Sequence, residues 1–243
     1  MPFQLEICSF NIQSALIAQH AGAHRVELCA DPAGGGTTPS LGLIQTAREK
    51  LHIQLFPIIR PRGGDFLFND EEFEIMKRDI ALCKQLGCDG VVIGMLNADG
   101  TIDKKRAAKL VELSYPLGVT FHRAFDWCTN PFEALEDIVG IGCERILTSG
   151  QKPTAFEGAA LINELVRQAE SRISIMPGSG VRADNISALI EKTGAGEFHT
   201  SARTLIKSDM QFINNNMLED LCFVTANENE IAEILRLLKE PEV

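Results

Sequence analysis

Long apolar runs are missing from this chain of 243 residues. Its hydrophobic stretches are short and interrupted by charges, and the N-terminal residues MPFQLEICSF have neither the basic region nor the long apolar segment of a secretory signal. We therefore expect a cytoplasmic protein with no membrane partner. With 45% hydrophobic residues, the chain can still form a substantial core.

Basic runs are also missing. The chain has 33 acidic and 23 basic residues, which gives a formal net charge of −10. A surface of this charge repels the phosphate backbone of nucleic acids and anionic membranes unless a basic patch intervenes. Since the sequence has no such patch, we expect no nucleic-acid partner.

Paired cysteine motifs are missing as well. The chain has seven cysteines, an odd number, and no two of them have CxxC spacing. This argues against a disulfide framework and against a zinc ribbon. We expect most of the cysteines to be reduced thiols that pack as small hydrophobic side chains.

What the sequence does contain is a regular alternation of apolar runs and helical periodicity. Eight runs rich in valine, isoleucine and leucine lie at residues 5–8, 25–29, 55–59, 90–96, 119–122, 145–148, 173–176 and 197–199. Strands that are apolar along their whole length are buried on both faces, as in a parallel sheet covered by helices. The alternation predicts an α/β fold, a (β/α)₈ TIM-like barrel, formed by a single domain over residues 1–243.

Residues 203–226 interrupt this alternation before a last helix that begins near Glu228. The segment is irregular and contains the run Asn214-Asn215-Asn216. A long stretch without periodicity is uncommon inside a compact domain and is typical of lids and interface segments. We expect an irregular insertion or a lid.

A doubly wound dinucleotide-binding fold is the alternative to the barrel. The residues Gly178 to Ala183 match the pattern G-x-G-x-x-A after a predicted strand. That fold needs several more strand and helix units after the glycine-rich turn, and only one strand follows here. The barrel is therefore the better prediction.

Two similar tetrapeptides, Leu5-Glu6-Ile7-Cys8 and Val26-Glu27-Leu28-Cys29, each place a carboxylate and a thiol on the same face of a strand. The first two strands of a barrel are neighbours, so Cys8 and Cys29 can meet near its mouth. Two thiolates form a soft site suited to Cu(I). The alternative is that both cysteines are ordinary buried side chains.

The segment FPIIRPRGGDF delivers Arg60 and Arg62 at the end of the third strand, next to a glycine pair. Two guanidinium groups beside flexible backbone indicate an anion site. Carboxylates pointing into a barrel need partners, so we expect these arginines to pair with Glu6 and Glu27. The alternative is a catalytic role for Glu27 or Asp65 as a general base.

The fifth strand ends at His122, in the segment FHRAFD. An imidazole there could transfer protons or bind a metal, and Asp126 could orient it or act itself. The same two possibilities apply to His199, at the end of the eighth strand. The alternative for each histidine is a hydrogen bond to a neighbouring strand.

Small polar residues follow the sixth, seventh and eighth strands, where barrels often bind phosphate with loop amides. They are Ser149 after the sixth strand, Gly178, Ser179 and Gly180 after the seventh, and Ser201 after the eighth. Glycine lets the backbone approach a ligand closely, and serine can donate a hydroxyl. The alternative is a set of tight turns that simply require glycine.

Together the segments LEIC, VELC, GGGTTPS, IIRPRGGDF, FHRAFD, ILTSGQ, PGSGVR and EFHTSA resemble the CutC family of copper homeostasis proteins, over roughly residues 4 to 202. The resemblance implies a cytoplasmic TIM-like barrel, usually a homo-oligomer, with copper as its ligand. It also implies that Cys8 and Cys29 are the Cu(I) ligands.

The arginines and the phosphate-like loops are not accounted for by copper handling alone. A lyase or isomerase acting on a small phosphorylated or carboxylated metabolite would use Arg60 to hold the anion, and Glu27, His122 and Asp126 to move protons. Arg62 and the serine and glycine loops would help to bind the anion. A third possibility is a purely structural protein with no ligand in the barrel mouth.

Overall fold

A computed structural model describes residues 3–239 of the chain. Eight parallel strands alternate with helices, as the sequence predicts. The strands of the barrel are β1 (Gln4–Ser9), β2 (Arg25–Leu28), β3 (Gln54–Pro57), β4 (Gly90–Ile93), β5 (Gly118–Phe121), β6 (Arg145–Thr148), β7 (Ser174–Pro177) and β8 (Glu197–Thr200).

Side chains cap the first turn of several helices. Asn69 and Glu72 form a capping box, and Asn130 accepts hydrogen bonds from the amides of Phe132 and Glu133. The helices are α1 (Ile12–Ala21), α2 (Leu41–Lys50), α3 (Asp70–Gln85), α4 (Lys104–Ser114), α5 (Pro131–Ile141), α6 (Ala159–Ala169), α7 (Ile186–Thr193) and α8 (Glu228–Lys239), with a 3₁₀ turn at Arg123–Trp127. Across residues 3–239, no helix is both long enough and apolar enough to cross a membrane.

The strands close into a ring. Hydrogen bonds join them in the orders β3-β2-β1-β8 and β4-β5-β6-β7. A parallel bridge between Ile58 and Val92 connects the two halves on one side, and β7 packs beside β8 on the other. The fold is therefore the predicted TIM-like barrel, and the doubly wound alternative is wrong.

The core lies between the strands and the inner faces of the helices. On α3, the side chains of Met76, Ile80 and Cys83 are fully buried, as their spacing predicts. The strands are buried on both faces, so β4 reads as the continuous apolar run GVVI. This packing fixes the positions of the strand ends from which the site is built.

The segment at 203–226 is more regular at its ends than the sequence predicts. Strands β9 (Arg203–Ile206) and β10 (Phe223–Ala226) pair in antiparallel register. Both contain threonine and apolar residues that favour extended backbone. Residues 207–222 between them form turns and loops.

Candidate functional site

A cavity of about 370 Å³ lies at the carboxyl ends of the strands, and we call it the mouth cavity. Its wall includes Cys8 and Glu27 from the first two strands, Arg60 and His122 from the ends of the third and fifth, and His199 from the eighth. Loop residues complete the wall, among them Arg123, Ser179, Gly180, Arg182, Ser201 and Arg203. The structure thus brings most of the predicted site residues to one end of the barrel.

The thiols of Cys8 and Cys29, the thiol pair, lie 3.6 Å apart between their sulfur atoms. The amide of Cys29 donates to the carbonyl of Ser9, which extends the β1–β2 ladder by one residue and holds the two side chains together. Cys8 lines the mouth cavity, whereas Cys29 is 1% exposed and lies behind it. The juxtaposition expected from the two tetrapeptides is present.

The two thiols differ in acidity. The hydrogen bond with Cys29 lowers the pKa of Cys8 to about 6, against the effect of burial and with a further contribution from His199. Burial and the same hydrogen bond raise the pKa of Cys29 well above its ordinary value. At neutral pH the thiol pair is therefore a Cys8 thiolate that accepts a hydrogen bond from the Cys29 thiol.

Cys8, Glu27 and His199 form a cluster of possible metal ligands. One atom from each of the three side chains lies within 4.8 Å of the other two, and Glu27 Oε2 is 3.7 Å from His199 Nε2. Burial holds the pKa of Glu27 well above its ordinary range, and the Cys8 thiolate adds to this effect. The pKa of His199 is raised in spite of burial, because it contacts Cys8 and Glu6.

The predicted pairing of Glu6 and Glu27 with Arg60 and Arg62 is wrong. Glu6 pairs with Arg25, and it also accepts a hydrogen bond from His199 Nδ1 at 2.7 Å. Arg25 Nη2 contacts Glu197 Oε2 at 2.7 Å as well. Arg25 begins β2 on the same face as Glu27, so it reaches the interior from the adjacent strand, whereas Arg60 and Arg62 follow β3.

Arg60 instead binds backbone. Its terminal nitrogens donate to the carbonyls of Gly34, Gly36 and Gly64 at 2.7 to 2.9 Å, which holds the loops after β2 and β3 against each other. Arg62 pairs with Asp65 and Glu72 outside the mouth cavity. Of the two predicted anion-binding arginines, Arg60 lines the cavity and Arg62 does not.

His122 and Asp126 are not partners. The Nδ1 of His122 accepts a hydrogen bond from the amide of Ala124, and burial, with the nearby Arg60 charge, lowers the pKa of His122 to about 3. Asp126 accepts hydrogen bonds from Ser149 and Gln151 and organises the loop after β6. His122 is therefore a neutral imidazole in the cavity wall, whereas the carboxylate of Asp126 is occupied by hydrogen bonds to the loop after β6.

The predicted anion-binding loops divide into two groups. Ser179, Gly180 and Ser201 line the mouth cavity, whereas Ser149 and Gly178 do not. The Ser149 hydroxyl is held by Asp126. A Cβ at Gly178 would lie 2.4 Å from Leu147 Cδ1, so a larger residue there would force the Leu147 side chain to move.

Residues that the sequence analysis missed are Arg25 and three arginines of the cavity wall. Period-two alternation along β2 could have placed Arg25 inward with Glu27 and Cys29. The three others, Arg123, Arg182 and Arg203, each follow a strand closely, and we call them the rim arginines. Their position after strand ends was the available signal.

Comparison with known proteins gives the same assignment as the motifs. The model of the CutC family matches residues 3–204. This chain belongs to the CutC family. The CutC family protein of Parabacteroides distasonis is 52% identical over 216 residues, which cover 88% of each chain. The human copper homeostasis protein cutC homolog is 47% identical over 215 residues, covering 88% of this chain and 79% of its own.

A solved CutC structure from Streptococcus agalactiae supports the fold independently. It superposes with a TM-score of 0.78 at 35% identity and covers 82% of this chain and 98% of its own. The family resemblance and the barrel expected from the sequence are thereby confirmed. Residues 205–239 lie beyond the part that the family model matches.

Proposed function

We propose that this member of the CutC family binds Cu(I) as its cargo through Cys8 and Cys29 and serves copper homeostasis. The observation that carries the proposal is the 3.6 Å separation of the two sulfur atoms beside an accessible cavity. Thiolates are the ligands that Cu(I) prefers among protein groups. The relatives named as copper homeostasis proteins support the same role.

The protonation of the thiol pair fits a metal that binds thiolates. Cys8, with a pKa of about 6, is ready to coordinate at neutral pH, and Cys29 must release its proton when the metal enters. The imidazole of His199 and the carboxyl of Glu27 lie beside Cys8 and can supply a third ligand. Burial of Cys29 keeps one metal ligand out of bulk water.

Anaerobic titration with Cu(I) against a competing chelator tests this assignment. Changing Cys8→Ser or Cys29→Ser should weaken Cu(I) binding by more than about a hundredfold, because loss of even an indirect partner of a metal ligand costs about 10- to 100-fold. Cys143→Ser is the matched control, since Cys143 is buried away from the cavity. Unchanged affinity in the first two variants would contradict the assignment.

The lyase or isomerase hypothesis has weaker support. Its proton-transfer pair requires Asp126 and His122 to act at one centre, but Asp126 is held by loop groups after β6. The neutral His122 and the arginine-rich wall do support an anionic ligand. That part of the hypothesis is compatible with copper binding.

We further infer that the protein works in the cytoplasm as a homo-oligomer. The seven cysteines are all free thiols, which is typical of proteins in reducing compartments. Large apolar side chains are exposed along residues 203–226, including Phe212 and Leu218 at 75% and 99%. Exposed apolar surface of this extent is typical of protein interfaces.

A further inference from the structure

We propose that the mouth cavity receives Cu(I) together with a small thiol carrier that bears carboxylate groups, and that the arginines of the cavity wall bind the carrier. This inference rests on the proposed function and deepens it, because it names the form in which the metal arrives. It also accounts for the arginines that copper alone leaves unexplained.

The charge of the mouth cavity is opposite to that of the protein. The chain carries a formal net charge of −10. Yet the described lining residues include four arginines and two histidines, against one carboxyl group, that of Glu27, and the thiol of Cys8. A positive cavity in an acidic protein attracts small anions selectively.

Of the three rim arginines, Arg203 leaves its cationic group for a ligand. Arg123 pairs with Asp126, and Arg182 Nε lies 3.2 Å from Glu230. Within residues 3–239, no hydrogen bond or ion pair engages the side chain of Arg203. Arg203 is exposed at the start of β9, next to Ser201 in the cavity wall. Its five N–H donors suit a carboxylate.

Two buried donors in the cavity wall lack acceptors. Arg60 and His122 are 4% and 3% exposed, and neither Arg60 Nε nor His122 Nε2 has a hydrogen-bond partner among the described residues. Since His122 Nδ1 accepts from an amide, its Nε2 carries the hydrogen. Phe66 packs against both side chains and so places them in the same part of the wall. Two unpaired buried N–H groups call for an acceptor oxygen.

A carrier with one thiolate and one or more carboxylates can contact the thiol pair and the cavity-wall arginines at the same time. Its sulfur brings Cu(I) to Cys8, and its carboxylates meet the arginines. In the transfer, the bond between Cu(I) and the carrier sulfur breaks while bonds to Cys8 and then Cys29 form. The Cys29 proton passes to the released carrier thiolate, and copper remains Cu(I) throughout. A bare ion would make no use of the unpaired donors.

Uptake of Cu(I) from two donors tests the inference. Glutathione carries carboxylates, whereas dithiothreitol is an uncharged thiol, so we compare anaerobic transfer from Cu(I)–glutathione and Cu(I)–dithiothreitol by stopped-flow absorbance. One variant combines Arg182→Gln with Arg203→Gln. The matched control is Arg167→Gln, on the exposed face of α6. Calorimetric titration of the metal-free protein with glutathione gives a readout without copper.

The parent and the Arg167→Gln control should take Cu(I) faster from glutathione than from dithiothreitol. In the double variant, the ratio of the uptake rate from glutathione to that from dithiothreitol should fall by about tenfold. Added salt should reduce the same ratio in the parent. Glutathione binding to the metal-free protein should weaken in the same variant. Equal uptake from both donors, or a preference for glutathione that survives in the double variant, would overturn this inference but leave the proposed function standing. A parent that takes Cu(I) from neither donor overturns the proposed function as well.

Discussion

Glu6 connects the imidazole of His199, in the proposed copper site, to a buried ion pair. One carboxylate oxygen accepts a hydrogen bond from His199 Nδ1, and the other pairs with Arg25, which also contacts Glu197. The positive charge of Arg25 holds the pKa of Glu6 well below its usual range, although burial acts in the opposite direction. Glu6 therefore orients His199 and stabilises the barrel interior at the same time.

Replacing Glu6 by glutamine should lower the free energy of unfolding by about 3 kcal/mol, because Arg25 loses the fully buried one of its two carboxylate partners. Urea denaturation at neutral pH measures the change. Glu136→Gln is the matched control: Glu136 pairs with Arg172 on the surface, where loss of an ion pair has little effect.

The effect of Glu6→Gln should also depend on pH. Since the pKa of Glu6 is lower in the folded protein than in the unfolded chain, its contribution is fully present above the ordinary carboxyl range and is lost as the pH falls. The difference in stability between parent and variant should therefore narrow in acid. A difference that is the same at every pH would contradict the assigned charge of Glu6.

At the scale of elements, Asp126 joins the 3₁₀ turn after β5 to the loop after β6. Its carboxylate accepts hydrogen bonds from the hydroxyl of Thr148, from the amide and hydroxyl of Ser149, and from the amide of Gln151. Arg123, one of the rim arginines, also pairs with it. Asp126 thus holds part of the cavity wall in place without lining the cavity.

Changing Asp126→Ala should destabilise the protein by about 2 kcal/mol, because several buried donors lose their acceptor. The amides of Ser149 and Gln151 should exchange hydrogen faster, as measured by hydrogen–deuterium exchange. Asp99→Ala is a suitable control, since Asp99 accepts hydrogen bonds from Thr101 in an exposed turn. Unchanged exchange at Ser149 and Gln151 would refute this role.

The strand ends were predictable because each is marked locally. Apolar runs that stop at polar residues gave the eight strands, and the paired tetrapeptides placed Cys8 beside Cys29. The long-range partners of Arg60 were not predictable, because the carbonyls of Gly34 and Gly36 lie 24 to 26 positions away in sequence and carry no residue-type signal. The pairing of Glu6 with Arg25 did carry a signal, because period-two alternation places Arg25 on the same face of β2 as Glu27.

At the scale of the whole molecule, charge and apolar surface are unevenly distributed. Positive side chains gather in the mouth cavity of an acidic protein, and exposed apolar side chains gather in the insertion at 203–226. The larger exposed ones there are Leu205, Met210, Phe212, Ile213, Met217 and Leu218, each at least 57% exposed. The insertion leaves the barrel after β8, next to Ser201 and Arg203 of the cavity wall. A lid role for the insertion stays a prediction.

We expect a second copy of the chain to cover this apolar surface. Light scattering after size exclusion should give a mass that is a multiple of 26.6 kDa. The double change Phe212→Ser, Leu218→Ser should shift the mass toward 26.6 kDa, because stable interfaces depend on buried apolar side chains near their centre. Leu41→Ser, at an exposed position on α2, should leave the mass unchanged. A parent that elutes as a monomer at all concentrations would show that the insertion serves some purpose other than self-association.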